Sequence, residues 1–336
     1  MSDDLKPLSP DEGVERFLEH RKPSIRESSY RNAVTRLNHF LEWCRENDVE
    51  DLNDLDGRDV ADFVAWRRSQ VAPITLQKQL STIRVALRYW ADLEAVEQGL
   101  AEKVHTPELP DGAESKDVQL PEDRANQVLR ELGRYEYASR RHTSLALLWR
   151  TGMRTGALRS LDLEDFHPDD NAVELVHRPE TGTPLKNGEH GERWVYLGPR
   201  WTEVVEEYLA ANRPETTDEH RRQPLITTRY GRASGTTLQK DVYRATRPCE
   251  YRDCPHDRDP ETCEAVGQDD VPSKCPSSRS PHAVRRGAIT HHLNREVPPE
   301  TVSERADVSL ETLYRHYDAR TEREKMNVRK QHLPEK

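Results

Sequence analysis

Three short stretches set the architecture of this chain: TGMRTGALRSL at 151–161, SPHAVRRGA at 280–288 and LYRHYD at 313–318. In the first, Arg154 follows a glycine at a predicted helix start, which aims its side chain instead of leaving it in solvent. In the second, two functional side chains are three positions apart, so a helix places both on one face. The third holds two tyrosines. Together the stretches offer cations, an imidazole and a phenol.

Length and composition bound the possibilities. The chain has 336 residues, more than the usual single domain of about 100–200, which predicts two domains. Its formal charge of −10 argues against a protein that coats nucleic acid without specificity. Of the 51 cationic side chains, 40 are arginine and 11 are lysine, so any DNA-binding face must be a local arginine-rich patch. An acidic, lysine-poor chain suits a cytoplasm of high salt concentration.

Membrane association is not expected. No run approaches the roughly 18 apolar residues that span a bilayer. Residues 1–10 are acidic and polar, unlike an export signal. The sequence therefore predicts a cytoplasmic protein.

Apolar spacing predicts the domain organisation. Stripes at 30–44 and 76–90 recur at three- and four-residue steps, which indicates a four-helix domain over residues 1–103. Residues 104–121 lose this periodicity and read as a linker. Residues 122–336 form a second, mostly helical domain, with helices predicted at 201–212, 236–246, 282–295, 299–306 and 309–318.

One part of the second domain has the character of a β-sheet. Residues 172–178 and 193–197 are rich in β-branched or aromatic side chains, and the segment between them is rich in turn-forming residues. We therefore predict a small sheet with a long turn. Lys186 lies on that turn and is the only lysine between Lys116 and Lys240.

Taken in order, the arginine stretch, the turn lysine, the His-x-x-Arg stretch and the late tyrosine resemble the tyrosine recombinase (phage integrase) family, which includes Xer-like enzymes. The cysteine-rich insertion and acidic composition resemble its haloarchaeal branch. The resemblance covers nearly the whole chain. It implies a mainly α fold: an N-terminal SAM-like four-helix core-binding domain, then a mostly α catalytic domain with a small antiparallel β-sheet, the DNA breaking-rejoining fold.

The resemblance assigns roles that simple chemistry supports. Breaking a phosphodiester requires a nucleophile, cations for the charge that grows on phosphate oxygens, and a proton donor for the leaving oxygen. Arg154 and Arg285 supply guanidinium groups, which match phosphate bidentately and stay charged. Lys186 would be the general acid. His282 would transfer a proton or donate a hydrogen bond to the phosphate.

The nucleophile is Tyr317 or Tyr314. Aligning the family's late motif without gaps makes Ser309 a helix cap and favours Tyr317 as the nucleophile. The same register places Val308 where the family has a histidine or tryptophan that bonds the scissile phosphate. Valine donates no hydrogen bond, so we expect a lower rate or a replacement group. His316, beside the tyrosine, would point elsewhere on a helix.

A cysteine-rich insertion occupies residues 249–276. Its four cysteines, or three of them with the nearby His256, match the ligand chemistry of tetrahedral zinc; they are Cys249, Cys254, Cys263 and Cys275. A structural zinc would stabilise a loop that has little apolar content. Unligated or redox-active thiols are the alternative. The resemblance implies no cofactor for catalysis.

The expected partner is double-stranded DNA at attachment or crossover sites. Five cations are predicted to contact it: Arg31, Lys78, Arg84, Arg88 and Arg244. The resemblance implies site-specific recombination through a 3′-phosphotyrosyl intermediate, with four protomers on the DNA. Integration of a provirus or plasmid is the first expectation. A Xer-like dimer resolvase, or a catalytically decayed architectural or regulatory DNA-binding protein, are the alternatives.

Overall fold

The computed structural model describes residues 5–109, 118–266 and 270–330, apart from the side chain of Ser28. Contacts divide the chain into two compact units, Met1–Lys116 and Asp117–Lys336. Among the described residues, no helix combines the length and the apolar character needed to cross a bilayer.

The described part of the first unit contains four α-helices: α1 (Pro10–Arg21), α2 (Glu27–Glu46), α3 (Gly57–Arg68) and α4 (Pro73–Asp92). Ser9 caps α1, and Asp56 forms a reciprocal capping box at α3, so two helix starts are written into the sequence. The indole Nε1 of Trp90 donates to the carbonyl of Gly13 at 2.7 Å. A Cβ at Gly13 would lie 2.5 Å from Cδ1 of Leu52, so a larger residue would require that leucine side chain to shift.

The second unit contains the three stretches at 151–161, 280–288 and 313–318, on its helices or at their ends. The unit contains α5 (Glu122–Tyr135), α6 (Arg140–Thr151), α7 (Thr155–Ser160), α8 (Pro199–Glu207), α9 (Gly235–Ala245), α10 (Pro281–Asn294), α11 (Pro299–Ala306), α12 (Leu310–Thr312) and α13 (Glu322–Lys330). Helix α10 packs closely at Gly287, where a Cβ would lie 2.0 Å from the carbonyl oxygen of Leu120. The backbone N–H of Leu120 also donates to Ala283 at 2.9 Å.

The ends of the predicted linker belong to the two cores. Val104 is buried in the first unit and Leu120 in the second. Both ends of the predicted linker, 104–121, thus contribute to a core, and its residues 110–117 lie outside the described residues.

The predicted sheet is present as three antiparallel strands, β1 (Phe166–His167), β2 (Ala172–Leu175) and β3 (Arg193–Tyr196), in the order β1-β2-β3. Val173 pairs with Val195, so the apolar side chains share one face. A second hairpin, β4 (Thr227–Thr228) with β5 (Gly231–Arg232), was not predicted because its strands are too short to show a period.

The end of the chain differs from the predicted single helix at 309–318. Helix α12 ends at Thr312, and Leu313–Tyr317 forms a π-helical turn. The N–H of Asp318 closes that turn on the carbonyl of Leu313 at 2.8 Å, while Thr290 donates to the carbonyl of Tyr317 at 2.9 Å. The Thr290 contact is a tertiary interaction that helical periodicity could not predict.

Candidate active site

Arg154 is aimed by the junction between α6 and α7. Gly152 ends α6 in the left-handed region, with φ of 66°, where glycine carries no Cβ penalty. Arg154 then takes the extended conformation that precedes α7. Its Nη1 donates to Oδ2 of Asp307 at 2.6 Å, and its side chain is 29% exposed. Among the described residues, the guanidinium thus has one hydrogen bond to the protein, from Nη1, and part of it is accessible to solvent.

Arg285 lies in the second turn of α10 and is only 2% exposed. Its Nη1 donates to the carbonyls of Gly152 at 2.7 Å and Ala306 at 2.6 Å. Within the described part of the chain, its Nε and Nη2 are buried without a hydrogen-bond partner. Burial lowers the pKa of Arg285, while neighbouring Tyr317 opposes that shift. A buried guanidinium with unused donors is costly unless an anion completes it.

Tyr317 covers this guanidinium. The centre of its ring lies 4.9 Å from Cζ of Arg285 and 5.4 Å from the ring centre of His282. The residue is 7% exposed, whereas Tyr314 is 51% exposed. The structure thus brings Tyr317, and not Tyr314, to the two residues of the His-x-x-Arg stretch.

His282 stands at the exposed start of α10. Partial desolvation, followed by the charges of Arg285 and Arg286, lowers its pKa. Arg154 and His316 add to that shift, so His316 is closer to the site than its position in the sequence suggests. At neutral pH the imidazole is therefore uncharged and can accept a proton.

Lys186 is exposed on the turn between β2 and β3, and both of its neighbours are anchored. The N–H of Leu185 donates to Nδ1 of His177 at 2.9 Å. On the other side, Nδ2 of Asn187 donates to Oδ1 of Asp307 at 2.6 Å. The turn that carries Lys186 is thus tied to the carboxylate that bonds Arg154.

Three residues of this site were not identified from the sequence: Asn187, Arg193 and Asp307. Arg193 on β3 donates to the carbonyls of Arg305 at 2.9 Å and Gly191 at 2.6 Å. Burial lowers the pKa of Arg193 to about 10. Only the position of Asp307 beside Val308 could have drawn attention to it.

Val308 faces away from the charged groups. It is 6% exposed and belongs to an apolar cluster with Ile289, Leu313 and the ring of Tyr317. The residue that reaches the arginines from this segment is its neighbour Asp307. Val308, which cannot donate to a phosphate, is thus preceded by a carboxylate that bonds Arg154.

Comparisons with known proteins concern the first unit and the fold of the chain. The model of the phage integrase N-terminal SAM-like domain matches residues 14–102. The N-terminal domain of a phage integrase/site-specific recombinase from Haloarcula marismortui is 36% identical, with 30% of this chain and 99% of that chain covered and a TM-score of 0.30. No curated protein sequence matches significantly.

Solved structures match over almost the entire chain. The Tn1549 transposon integrase in complex with a circular intermediate DNA is 10% identical, with 97% of this chain and 100% of that chain covered and a TM-score of 0.68. A lambda integrase dimer bound to a COC′ core site is 11% identical, with 94% and 79% covered and a TM-score of 0.65. Residues 14–102 therefore match the phage integrase N-terminal SAM-like family, and the chain as a whole has the fold of these integrases. The mainly α, two-part fold expected for such a recombinase is confirmed.

Most of the cations predicted to contact DNA also contact the protein. Arg31 pairs with Glu27 at 2.9 Å and Arg88 with Glu102 at 3.3 Å, both on the surface. Arg84 donates to the carbonyl of Val104 at 2.6 Å, which fixes the end of the first unit. Arg244 is ion-paired with Asp270, and Lys78 is exposed. Their contacts with DNA stay predictions.

Ion pairs and a hydrogen bond of Arg247 stabilise the cysteine-rich insertion. Arg247 donates to the carbonyl of Ala265 and pairs with Glu250 and Asp270. Burial raises the pKa of the Cys249 thiol, and the nearby cysteines 254 and 275 add to that shift.

All four cysteines of the insertion are free thiols. Over residues 5–109, 118–266 and 270–330, no three His, Cys, Asp or Glu side chains are grouped as metal ligands.

Proposed function

We propose that this chain is a site-specific DNA recombinase whose nucleophile is Tyr317. The observation that carries the proposal is Arg285, a buried guanidinium with two unused donor nitrogens directly beneath a tyrosine ring. A phosphate group is the anion that matches the guanidinium fork. Arg154, with one nitrogen on Asp307 and the rest open, supplies the second cation.

The reaction balances with groups on this chain. The phenol oxygen of Tyr317 attacks the phosphorus, the P–O bond to the 5′-oxygen breaks, and a 3′-phosphotyrosyl bond forms. The phenol proton passes to the neutral imidazole of His282, whose lowered pKa keeps it free to accept. Lys186 gives a proton to the leaving 5′-oxygen. Attack by the 5′-hydroxyl of a partner strand reverses the step, so the bond energy is conserved without a nucleotide cofactor.

The proposed partner is double-stranded DNA at attachment or crossover sites, in the cytoplasm, and strand exchange between two duplexes requires four protomers. Helix α13 supports assembly through the C-terminal segment, because none of its described side chains is buried. Deleting the residues after 320 should leave the monomer folded and impair tetramer formation on DNA. Unchanged tetramers by size-exclusion chromatography with light scattering would refute this role of the tail.

Integration of a provirus or plasmid is the preferred biological role, and dimer resolution is the alternative. Neighbouring genes and an adjacent attachment site distinguish them. A structural zinc in the insertion remains a separate proposal that rests on the cysteine chemistry. About one zinc per purified chain, lost in Cys249→Ser, would support it.

A suicide-substrate assay tests the proposed function. Wild type, Tyr317→Phe and Tyr314→Phe are incubated with nicked DNA that spans candidate attachment sites at high KCl concentration. A covalent protein–DNA adduct that only Tyr317→Phe loses is the expected result. Loss only in Tyr314→Phe would move the nucleophile by three residues. Binding to a verified site without any adduct would favour the architectural or regulatory DNA-binding protein, an outcome that Val308 makes worth testing.

A further inference from the structure

We propose that Asp307 is a positioning residue that couples Arg154 to the turn of Lys186, so that the phosphate-binding cation and the proton donor are held in one arrangement. This inference rests on the proposed recombinase function. Its basis is a single carboxylate that bonds both elements: Oδ2 accepts from Arg154 and Oδ1 from Asn187, each at 2.6 Å.

Local structure fixes this carboxylate. Asp307 ends α11 in the left-handed region, with φ of 54° and ψ of 63°, a conformation that aspartate and asparagine tolerate better than most residues. Its side chain is 13% exposed. The turn also packs against it, because a Cβ at Gly191 would lie 3.4 Å from its Oδ2. The carboxylate thus lies under the turn and is held from three sides.

The carboxylate of Asp307 also offsets part of the positive charge of the surrounding arginines. Arg154 and Arg285 lower the pKa of Arg193, while Asp307 raises it, which places these four groups within electrostatic range. Three guanidinium groups at short range repel one another, and one carboxylate among them reduces that repulsion. Asp307 occupies a single nitrogen of Arg154, so this charge compensation does not consume the donors that a phosphate needs.

The geometry favours positioning over inhibition. An inhibitory carboxylate would take the place of the phosphate at both arginines, but Arg285 has no hydrogen bond to Asp307 among the described residues and keeps two unused donors. The second oxygen of Asp307 is directed to the turn instead. A purely inhibitory role predicts the opposite kinetic result, because removing the charge would then accelerate cleavage.

Two substrates separate the two arms of the coupling. Cleavage is measured in single turnover at saturating DNA, with an ordinary 5′-oxygen substrate and with one that has sulfur in place of the leaving 5′-oxygen. A thiol has a pKa near 8.5 and leaves without a general acid. Loss of the Lys186 arm should therefore slow the oxygen substrate and spare the sulfur substrate.

Asn187→Ala and Asp307→Asn are compared with Glu304→Gln, an exposed carboxylate on the same helix. On the oxygen substrate we expect both site variants to cleave at least about tenfold more slowly, and the control to match wild type. On the sulfur substrate Asn187→Ala should recover to within about threefold of wild type, while Asp307→Asn stays slow because Arg154 is also misplaced. DNA affinity and melting temperature should be unchanged.

Three outcomes would overturn the inference: faster cleavage by Asp307→Asn, wild-type rates in both site variants, or an equal defect of Asn187→Ala on both substrates. Failure of the recombinase proposal looks different, because wild type itself would then give no adduct with either substrate. A double variant provides a further check. If the two residues act through one link, adding Asn187→Ala to Asp307→Asn slows the oxygen substrate no further.

Discussion

The second unit holds two groups of arginines, one around Asp162 and one around Arg285. They differ in whether the protein itself pairs their donor nitrogens. Around Asp162, whose side chain is 3% exposed, Arg222 donates to Oδ2 at 2.6 Å and Arg232 to Oδ1 at 2.6 Å. Arg232 also pairs with Asp218 at 2.7 Å. Around Arg285, by contrast, two donor nitrogens have no partner among the described residues.

The difference separates structural arginines from ligand-binding ones. A buried charge costs several kcal/mol unless a partner of opposite charge or good hydrogen bonds compensate it. The cluster at Asp162 is compensated within the protein, so it stabilises the fold after α7. Around Arg285 the protein leaves two donors uncompensated among the described residues, and the proposed function assigns them to a phosphate. The following predictions test this distinction, in order of decreasing effect.

Arg285→Met should abolish cleavage with little effect on folding. We expect the single-turnover rate to fall by about 10³-fold, because a preorganised donor to the phosphate charge is lost. The free energy of unfolding should change by less than about 1 kcal/mol, since an uncompensated buried charge is removed along with two hydrogen bonds. Adduct formation and urea denaturation measure the two effects. A large loss of stability would show that Arg285 is structural.

Arg232→Met should give the reverse pattern. The substitution leaves the buried carboxylate of Asp218 without its arginine, which should cost about 3 kcal/mol of unfolding free energy. Cleavage by the protein that remains folded should equal that of wild type. Arg229→Met, at an exposed neighbouring turn, is the matched control for denaturation. Equal stability of the two variants would contradict the proposed difference between the clusters.

A buried histidine extends the comparison of buried charges to a group that can lose its proton. Burial lowers the pKa of His292 from 6.5 to about 4, and Nε2 is 3.0 Å from the carbonyl of Arg150. The unfolded chain therefore binds more protons between pH 6.5 and 4, and stability falls as pH is lowered through that window. In His292→Gln the loss of unfolding free energy between pH 7 and 4 should be smaller by roughly 3 kcal/mol. Identical pH profiles of denaturation would refute the assignment.

The smallest effect concerns the surface of the first unit. Lys78→Ala should leave the melting temperature unchanged and reduce the salt dependence of DNA binding by about one unit of log Kd per log salt. Arg31→Ala, which removes a surface pair with Glu27, should cost at most about 0.5 kcal/mol of unfolding free energy. An unchanged salt slope in Lys78→Ala would remove that lysine from the predicted DNA contacts.

Local patterns in the sequence predicted the fold and the principal side chains. Spacing alone places His282 and Arg285 on one helical face, and the structure brings Arg154 and Tyr317 to them. Asn187, Arg193 and Asp307 depend on a helix end that meets a turn more than a hundred residues away. No period in the sequence encodes such a contact. Helix α13 was missed because its exposed side chains form no apolar stripe.

The contact at Gly287 limits the movement of α10, which carries His282 and Arg285. Because the carbonyl of Leu120 lies so close to Gly287, α10 cannot slide or rotate without a collision. The positions of His282 and Arg285 on this helix are therefore fixed. The segment that bears Tyr317 packs into the apolar cluster with Leu313 and also accepts the hydrogen bond from Thr290. The contact at Gly287 thus fixes the part of the site that carries His282 and Arg285, and a bulkier residue at position 287 would displace both side chains.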